Sequence, residues 1–439
     1  MSQSMRELGT DLYEDGQLER ALGVLAECVR RQPADHRARM AAARCLAKLG
    51  EKERAVTAFH ACAEGLLRRD YLLSAIAACK LALEISPTER RIKDTLCRIH
   101  ARAARNVPGR AQVPPPLPPE SLYDGSVSED LLALTGEQLR NASFEVLAAP
   151  DKGGSADPDA RPPLPLFSEL ALEAFLDLVS RMALREVKAE AVITKERADT
   201  DSVWTIVAGK CEVTRVTDGE PRTIGFLGGG SIFGEIALLT GAPPTATVTA
   251  VSDTELFEIP RDVLNAVAKA HPAVPQLLAQ FAQSRMVRHV LATSPLFAQI
   301  PEAERKEILG RFTFRAVQPG ERVLVEGDHT PGLFMVLAGE LLVQKEDPSG
   351  GAVSLNLLRE GDVAGEISLL TGLRATATVL ATRKSAAAFL DRAAFDALLR
   401  DYPNARNYLE GLSSRRLKQI GEALRPAEII DADELLEAS

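Results

Sequence analysis

The sequence predicts a multidomain chain: an all-α array of paired helices, followed by two β-barrel or jelly-roll domains with flanking helices. Three observations carry this reading. Small and apolar residues near the N-terminus recur every 34 positions. From about residue 166 the chain repeats itself at an offset of 131. Between these regions, residues 107–166 hold eleven of the chain's 26 prolines. The division that follows is a helical array over 1–105, a Pro-rich flexible linker over 106–165, one barrel over 166–290, a second over 291–412, and a helical, acidic C-terminal tail over 413–439.

With 439 residues, the chain has room for about three domains of the usual ~100–200 residues. The formal net charge of −9 argues against a general nucleic-acid binder. No apolar run approaches the ~18 residues of a membrane span. The opening "MSQSMRELGTDLYEDGQ" lacks the basic-then-apolar pattern of a signal peptide. A cytoplasmic location is therefore expected.

In the array, Leu12 recurs as Leu46, Gly16 as Gly50, Ala21 as Ala55, Leu25 as Phe59 and Cys28 as Cys62. Cys28, Cys45, Cys62, Cys79 and Cys97 follow one another at intervals of 17, 17, 17 and 18, half the longer period. None forms a CxxC pair, so they read as small packing residues rather than metal ligands. The segment "LLSAIAACKLALEISP" (72–87) looks like the second helix of a further unit that arrives early. These residues resemble tetratricopeptide repeats, though the usual Trp and Tyr are missing. The resemblance implies a groove that docks a protein partner through residues 1–105. A rigid spacer or dimerisation arm is the alternative.

The linker, with "VPPPLPPE" and "DPDARPPLPL", has too little apolar surface to offset chain entropy and reads as a tether. Its PPPLPP run is an extended spacer or a polyproline ligand. Ser128 is placed to cap a short helix through "SEDLLAL", which Gly136 would interrupt.

In the duplicated half, helical lead-ins precede short glycine-broken strands such as "VWTIVAGKCEVTRV" and "LFMVLAGELLVQK". The clearest duplicate is "GEIALLTGAPPTATV" (234–248) against "GEISLLTGLRATATV" (365–379), identical at eleven of fifteen positions. With the preceding Gly230-Ser231-Ile232-Phe233 and Gly361-Asp362-Val363-Ala364, these segments resemble the cyclic nucleotide-binding domain family, present twice. The second copy also has Pro319-Gly320-Glu321 and Glu326-Gly327-Asp328. The first has lost both of those glycines, with Ala189 and Glu196 in the corresponding triplets.

The resemblance implies that Gly234 or Gly365 lets the backbone approach a ligand. Glu235 or Glu366 would accept from a ribose hydroxyl, and the short helix beginning with Ile236 or Ile367 would offer amides to a phosphate. The arginine that the family places nine residues after the glutamate is absent: Pro244 and Ala375 stand there, with Arg374 one residue early. Loss of that partner is expected to cost ~2–5 kcal/mol. The candidate ligand residues are Gly234, Glu235, Ile236, Thr245 and Thr247 in the first copy. In the second they are Gly365, Glu366, Ile367, Arg374, Ala375 and Thr376. Three readings stay open for each site: a cyclic nucleotide (cAMP or cGMP), an uncharged or differently charged ligand such as a nucleoside, or no ligand. The last ranks first for the first copy, while for the second a cyclic nucleotide and no ligand stand close, since a one-residue bulge would swing Arg374 inward.

No catalytic motif and no metal-ligand spacing stands out, so no enzyme, metal or obligate cofactor is expected. In the tail, Ile429, Ile430, Leu435 and Leu436 offer a short docking helix, with a solvated tail as the alternative. No Arg-Arg-x-Ser/Ala pseudosubstrate occurs in the linker. The function expected is a non-enzymatic signalling adaptor, its rival a ligand-free interaction scaffold.

Overall fold

Six helices open the chain in the computed structural model, which describes residues 4–103, 133–151, 164, 166–198, 201–217, 220–235, 243–277, 279–280, 286, 290, 294–346 and 351–423. They are α1 (Met5–Glu14), α2 (Leu18–Arg31), α3 (His36–Lys48), α4 (Lys52–Arg68), α5 (Leu72–Ile85) and α6 (Arg90–Ala103). Ser4 starts α1 with a capping box, its Oγ accepting from Glu7 N at 3.1 Å while Glu7 Oε2 accepts from Ser4 N at 2.8 Å. Gly16 and Gly50 make the α1–α2 and α3–α4 turns in the left-handed region, at φ +76° and +87°. The third such turn is made by Asp70 at φ +64°. It leads into α5 through Tyr71, whose backbone angles (−81°, 64°) match those of Gln17 before α2 (−81°, 58°) and Glu51 before α4 (−80°, 56°). Helix α5 is thus the equivalent of α2 and α4, arriving early because α4 serves as its predecessor. Cys28, Cys45, Cys62 and Cys79 are all free thiols buried between helices. Burial pushes the first three up to about 12, so they are packing groups rather than nucleophiles.

The supposed linker is not featureless. Helix α7 (Gly136–Ala148) lies within it and packs against α2, α3 and α4. Gly136, expected to interrupt a helix, instead stands at the start of one with φ +55°. The PPPLPP run and the Ser128 cap fall outside the described residues.

Helix α8 (Leu172–Arg181) leads into the first barrel: β1 (Ala183–Val187), β2 (Val192–Thr194), β3 (Ser202–Ala208), β4 (Lys210–Thr217), β5 (Glu220–Gly228), β6 (Ile232–Phe233), β7 (Thr247–Ala250), β8 (Thr254–Pro260), then α9 (Arg261–Ala270). The strands form two four-stranded sheets, β1-β8-β3-β6 and β2-β7-β4-β5, with every pairing antiparallel. Their core holds Ile206, Cys211, Phe233, Val248 and Leu256.

Helices α10 (Pro295–Ala298) and α11 (Glu302–Leu309) precede the second barrel. Its strands are β9 (Thr313–Val317), β10 (Arg322–Leu324), β11 (Gly332–Ala338), β12 (Leu341–Glu346), β13 (Ala352–Leu358), β14 (Val363–Ala364), β15 (Thr378–Ala381) and β16 (Ser385–Asp391). Helix α12 (Glu366–Thr371) lies between β14 and β15, and α13 (Arg392–Asp401) and α14 (Pro403–Ala423) close the described chain. The sheets β14-β11-β16-β9 and β10-β15-β12-β13 repeat the strand order of the first barrel. Helix α14 runs without a break through residue 412, where the second domain was expected to end.

Two compact units result. The first comprises Met1–Thr194, Asp201–Phe233 and Thr247–Leu278; the second comprises Lys195–Thr200, Gly234–Ala246 and Ala279–Ser439. Within the first, the array contacts its barrel directly. Lys80 Nζ donates to Ser180 O at 2.9 Å, His100 Nε2 meets Leu170 O at 2.8 Å, and Arg44 pairs with Glu186 and, at 3.7 Å, with Glu255.

Candidate functional site

The second copy of the duplicated segment builds a cavity of about 60 Å³. Strand β14 ends at Ala364, and the next residue, Gly365, has φ +96° and forms the N-cap of α12. A Cβ there would lie 2.9 Å from Gly332 O, so both the backbone angle and the space call for glycine. The tight turn brings Glu366 inward, 2% exposed, at the first position of α12. Ile367 and Ser368 follow in the lining, and Ser368 Oγ donates to Arg374 O at 3.2 Å.

Opposite the helix, Ala375 is held by two backbone bonds, Ala375 N to Asp328 O at 2.8 Å and Gly327 N to Ala375 O at 2.9 Å. Ala375 faces inward and is buried, Thr376 and Ala377 line the cavity, and Arg374 turns outward. Arg374 Nη1 donates to Gly327 O at 2.9 Å instead. The bulge that would have swung Arg374 inward is therefore absent, because the paired backbone at Ala375 leaves no extra residue. Below Thr376, Lys345 Nζ donates to its carbonyl at 3.0 Å and pairs with Glu326.

The residue that sequence reasoning missed is Arg416, on α14. Its Nη1 donates to Glu366 Oε1 at 2.7 Å and to Val363 O at 2.7 Å. Gln419 and Ile420, from the same helix, complete the lining. The signal lay in the stretch read as a tail: Leu412, Arg416 and Ile420 fall four apart, on one helical face. A buried carboxylate without a partner is costly, and Arg416 supplies that partner from the protein itself. With α14 in place, the space is well below the ~300–1,000 Å³ typical of small-molecule pockets.

In the first copy, Gly234 has φ +85° and Glu235 is 5% exposed, as in the second. Pro243-Pro244 replaces Arg374-Ala375, and Pro244 O accepts from Arg197 N at 2.9 Å, the counterpart of the Gly327–Ala375 bond. Arg197, at φ +62°, takes the turn that Gly327 makes elsewhere. Thr245 lies just after Pro244, and Thr247 opens β7. Ile236 falls outside the described residues. Among the described residues, no group of three or more His, Cys, Asp or Glu is placed to hold a metal, and no helix is long and apolar enough to cross a membrane.

Residues 184–271 and 314–402 each match the family described as "Cyclic nucleotide-binding domain". The chain is 28% identical over 236 residues to a cAMP-dependent protein kinase regulatory subunit of Blastocladiella emersonii, covering 53% of this chain and 56% of that one. It is 29% identical over 235 residues to the corresponding subunit of Yarrowia lipolytica, covering 53% and 58%. The chain thus spans little more than half the length of these relatives. Among solved structures, the regulatory domain of Toxoplasma gondii PKA with cAMP aligns at 24% identity and a TM-score of 0.29, covering 57% of this chain and 92% of that one.

Proposed function

We propose that this chain, which carries two cyclic nucleotide-binding domains in tandem, is a non-catalytic, cytoplasmic signalling adaptor whose second barrel senses a cyclic nucleotide. The supporting observation is the Arg416–Glu366 pair in the cavity wall. A cyclic nucleotide carries a 2′-hydroxyl that donates and an anionic phosphate that accepts. It can enter between the two charges, the hydroxyl taking Glu366 and the phosphate taking Arg416. Arg416 then stands in for the arginine missing at Ala375. Because Gln419 and Ile420 fill the remaining space, entry displaces the end of α14, and that displacement is the signal. The array, read as tetratricopeptide-like, docks the protein that receives it. The names of the relatives make a protein kinase the first partner to try. The Pro243-Pro244 sequence and the lost glycines favour a structural role for the first barrel.

Isothermal titration of the full chain with cyclic AMP and with adenosine tests the sensor. The natural chain prefers the cyclic nucleotide, and Arg416→Met removes that preference. Ala375→Arg supplies the phosphate partner directly and raises cyclic nucleotide affinity about 30–150-fold, the worth of one charged hydrogen bond. Absence of cyclic nucleotide binding to both the natural chain and the Ala375→Arg variant would leave the ligand-free scaffold, which the small cavity also fits.

A further inference from the structure

The helical array holds a segment of its own chain in a way that suits a replaceable ligand. Leu139, Ser143 and Leu147 are spaced four apart on α7, and all three are buried against the array. The last carbonyls of a helix lack partners within it. Here Arg39 of α3, 1% exposed, donates through Nη1 to Leu147 O at 2.6 Å and to Ala149 O at 2.7 Å. Beyond the helix, Asp151 is 3% exposed and accepts from Arg69 Nε at 2.8 Å, with His36 Nε2 3.4 Å away.

Three features separate this segment from an ordinary element of the fold. Its helix starts poorly, with Gly136 at φ +55° and no side-chain cap from Thr135. Its fit is incomplete: Ser143 Oγ is buried without a hydrogen-bond partner, and so are Nε and Nη2 of Arg68, a charge that bears on Arg39. It is joined to the rest of the chain through residues 104–135 and 152–163, which include the proline clusters. Arg39 recognises backbone carbonyls that any helix C-terminus offers, while side chains hold the rest: Arg54 donates to Asn141 Oδ1 at 2.7 Å, and Arg140 pairs with Glu51 at 3.3 Å and Glu19 at 3.5 Å.

We infer that the array carries a binding site for a short amphipathic helix ending in an acidic turn, and that residues 136–151 occupy this site in cis until an external segment of the same chemistry replaces them. The inference deepens the reading of the array as a docking surface and rests on it. The preferred partner has leucines eight residues apart, a small apolar residue midway where Ser143 is misplaced, and a second carboxylate beyond the helix to meet Arg68. Tethering gives the internal segment an effective concentration on the order of millimolar, so a partner must bind tightly or arrive at high local concentration.

The test uses the full chain with residues 136–151 replaced by a Gly-Ser stretch of equal length, and a fluorescent peptide of residues 134–153. Anisotropy should show the peptide binding the replaced chain at least ~30-fold more tightly than the intact chain. A peptide carrying Asp151→Asn should bind roughly tenfold more weakly, and one carrying Ser143→Ala several-fold more tightly. No binding to a replaced chain of intact helical content overturns the inference. If the replaced chain does not fold, amide exchange in the intact chain decides. Residues 140–148 should exchange at least ~10-fold faster than the cores of α3 and α4, and equal rates make α7 an integral element and refute the proposal. A search that finds no cellular partner would count against the docking reading of the array, while the peptide result would still stand or fall by itself.

Discussion

Arg39 in the array and Arg416 in the second barrel both reach from a helix to carbonyls of their own chain, but only Arg416 also holds a carboxylate. Arg39 is 1% exposed and relies on neutral oxygens; the nearby Asp151 is bonded to Arg69. Arg416 is answered by Glu366, itself buried. The difference lies in what removal leaves behind. Without Arg39, helix carbonyls lose their cap and a segment comes loose. Without Arg416, a buried negative charge is stranded.

The largest expected effect therefore tests Arg39. Arg39→Met should destabilise the first unit by about 3–4 kcal/mol, because two short charged hydrogen bonds are lost together. Urea unfolding followed by a probe on α7 should show α7 released before the rest. Coincident loss of α7 and the array would erase the contrast drawn between the two arginines.

Next is the pH dependence of the same neighbourhood. Burial holds His36 down to about 4, with Asp151 and Asp35 pulling up against it and Arg39 and Arg69 adding to the depression. The unfolded chain takes up this proton near pH 6.5 and the folded array only near 4. Stability is therefore fully present above about pH 6.5 and falls as the pH drops toward 4, by about 3 kcal/mol in all. His60 is also lowered, chiefly by burial, and adds in the same direction. Melting of the first unit at pH 7 and pH 5 should show the loss, and His36→Gln should flatten it.

Arg416→Met should cost the second barrel about 2–3 kcal/mol by leaving Glu366 unpaired, and adding Glu366→Gln should recover most of that. No recovery in the double variant would mean that Arg416 acts through its bond to Val363 O rather than through the carboxylate. The smallest effect is Arg374→Ala. That side chain is exposed and, among the described residues, donates to Gly327 O alone, so its loss should cost less than about 1 kcal/mol and leave ligand affinity unchanged. A drop in affinity would place Arg374 at the ligand after all.

The duplicated barrels were legible because the two copies share a long near-identical segment whose glycines, Gly234 and Gly365, both take the left-handed region. The early arrival of α5 was also readable, since its cysteine and alanines keep the spacing of α2 and α4. Helix α7 was missed because the prolines around it dominate the composition, while its stability comes from Arg39 and Arg69, far away in sequence. Arg374 was misplaced because spacing alone cannot say which way a side chain faces; the backbone bonds of Ala375 decide that. Arg416 was missed because its partner lies fifty residues upstream, and a basic helical stretch near a C-terminus looks the same whether solvated or packed.

Amide hydrogen exchange of residues 419–423, the end of α14 that fills the cavity beyond Arg416, with and without saturating cyclic AMP, reads the exchange of partners at Glu366. Entry of the ligand should speed exchange in this end of α14 by at least ~10-fold while α12 becomes more protected. Binding with unchanged exchange in α14 would contradict the account, because the ligand would then sit where the Arg416–Glu366 pair remains intact.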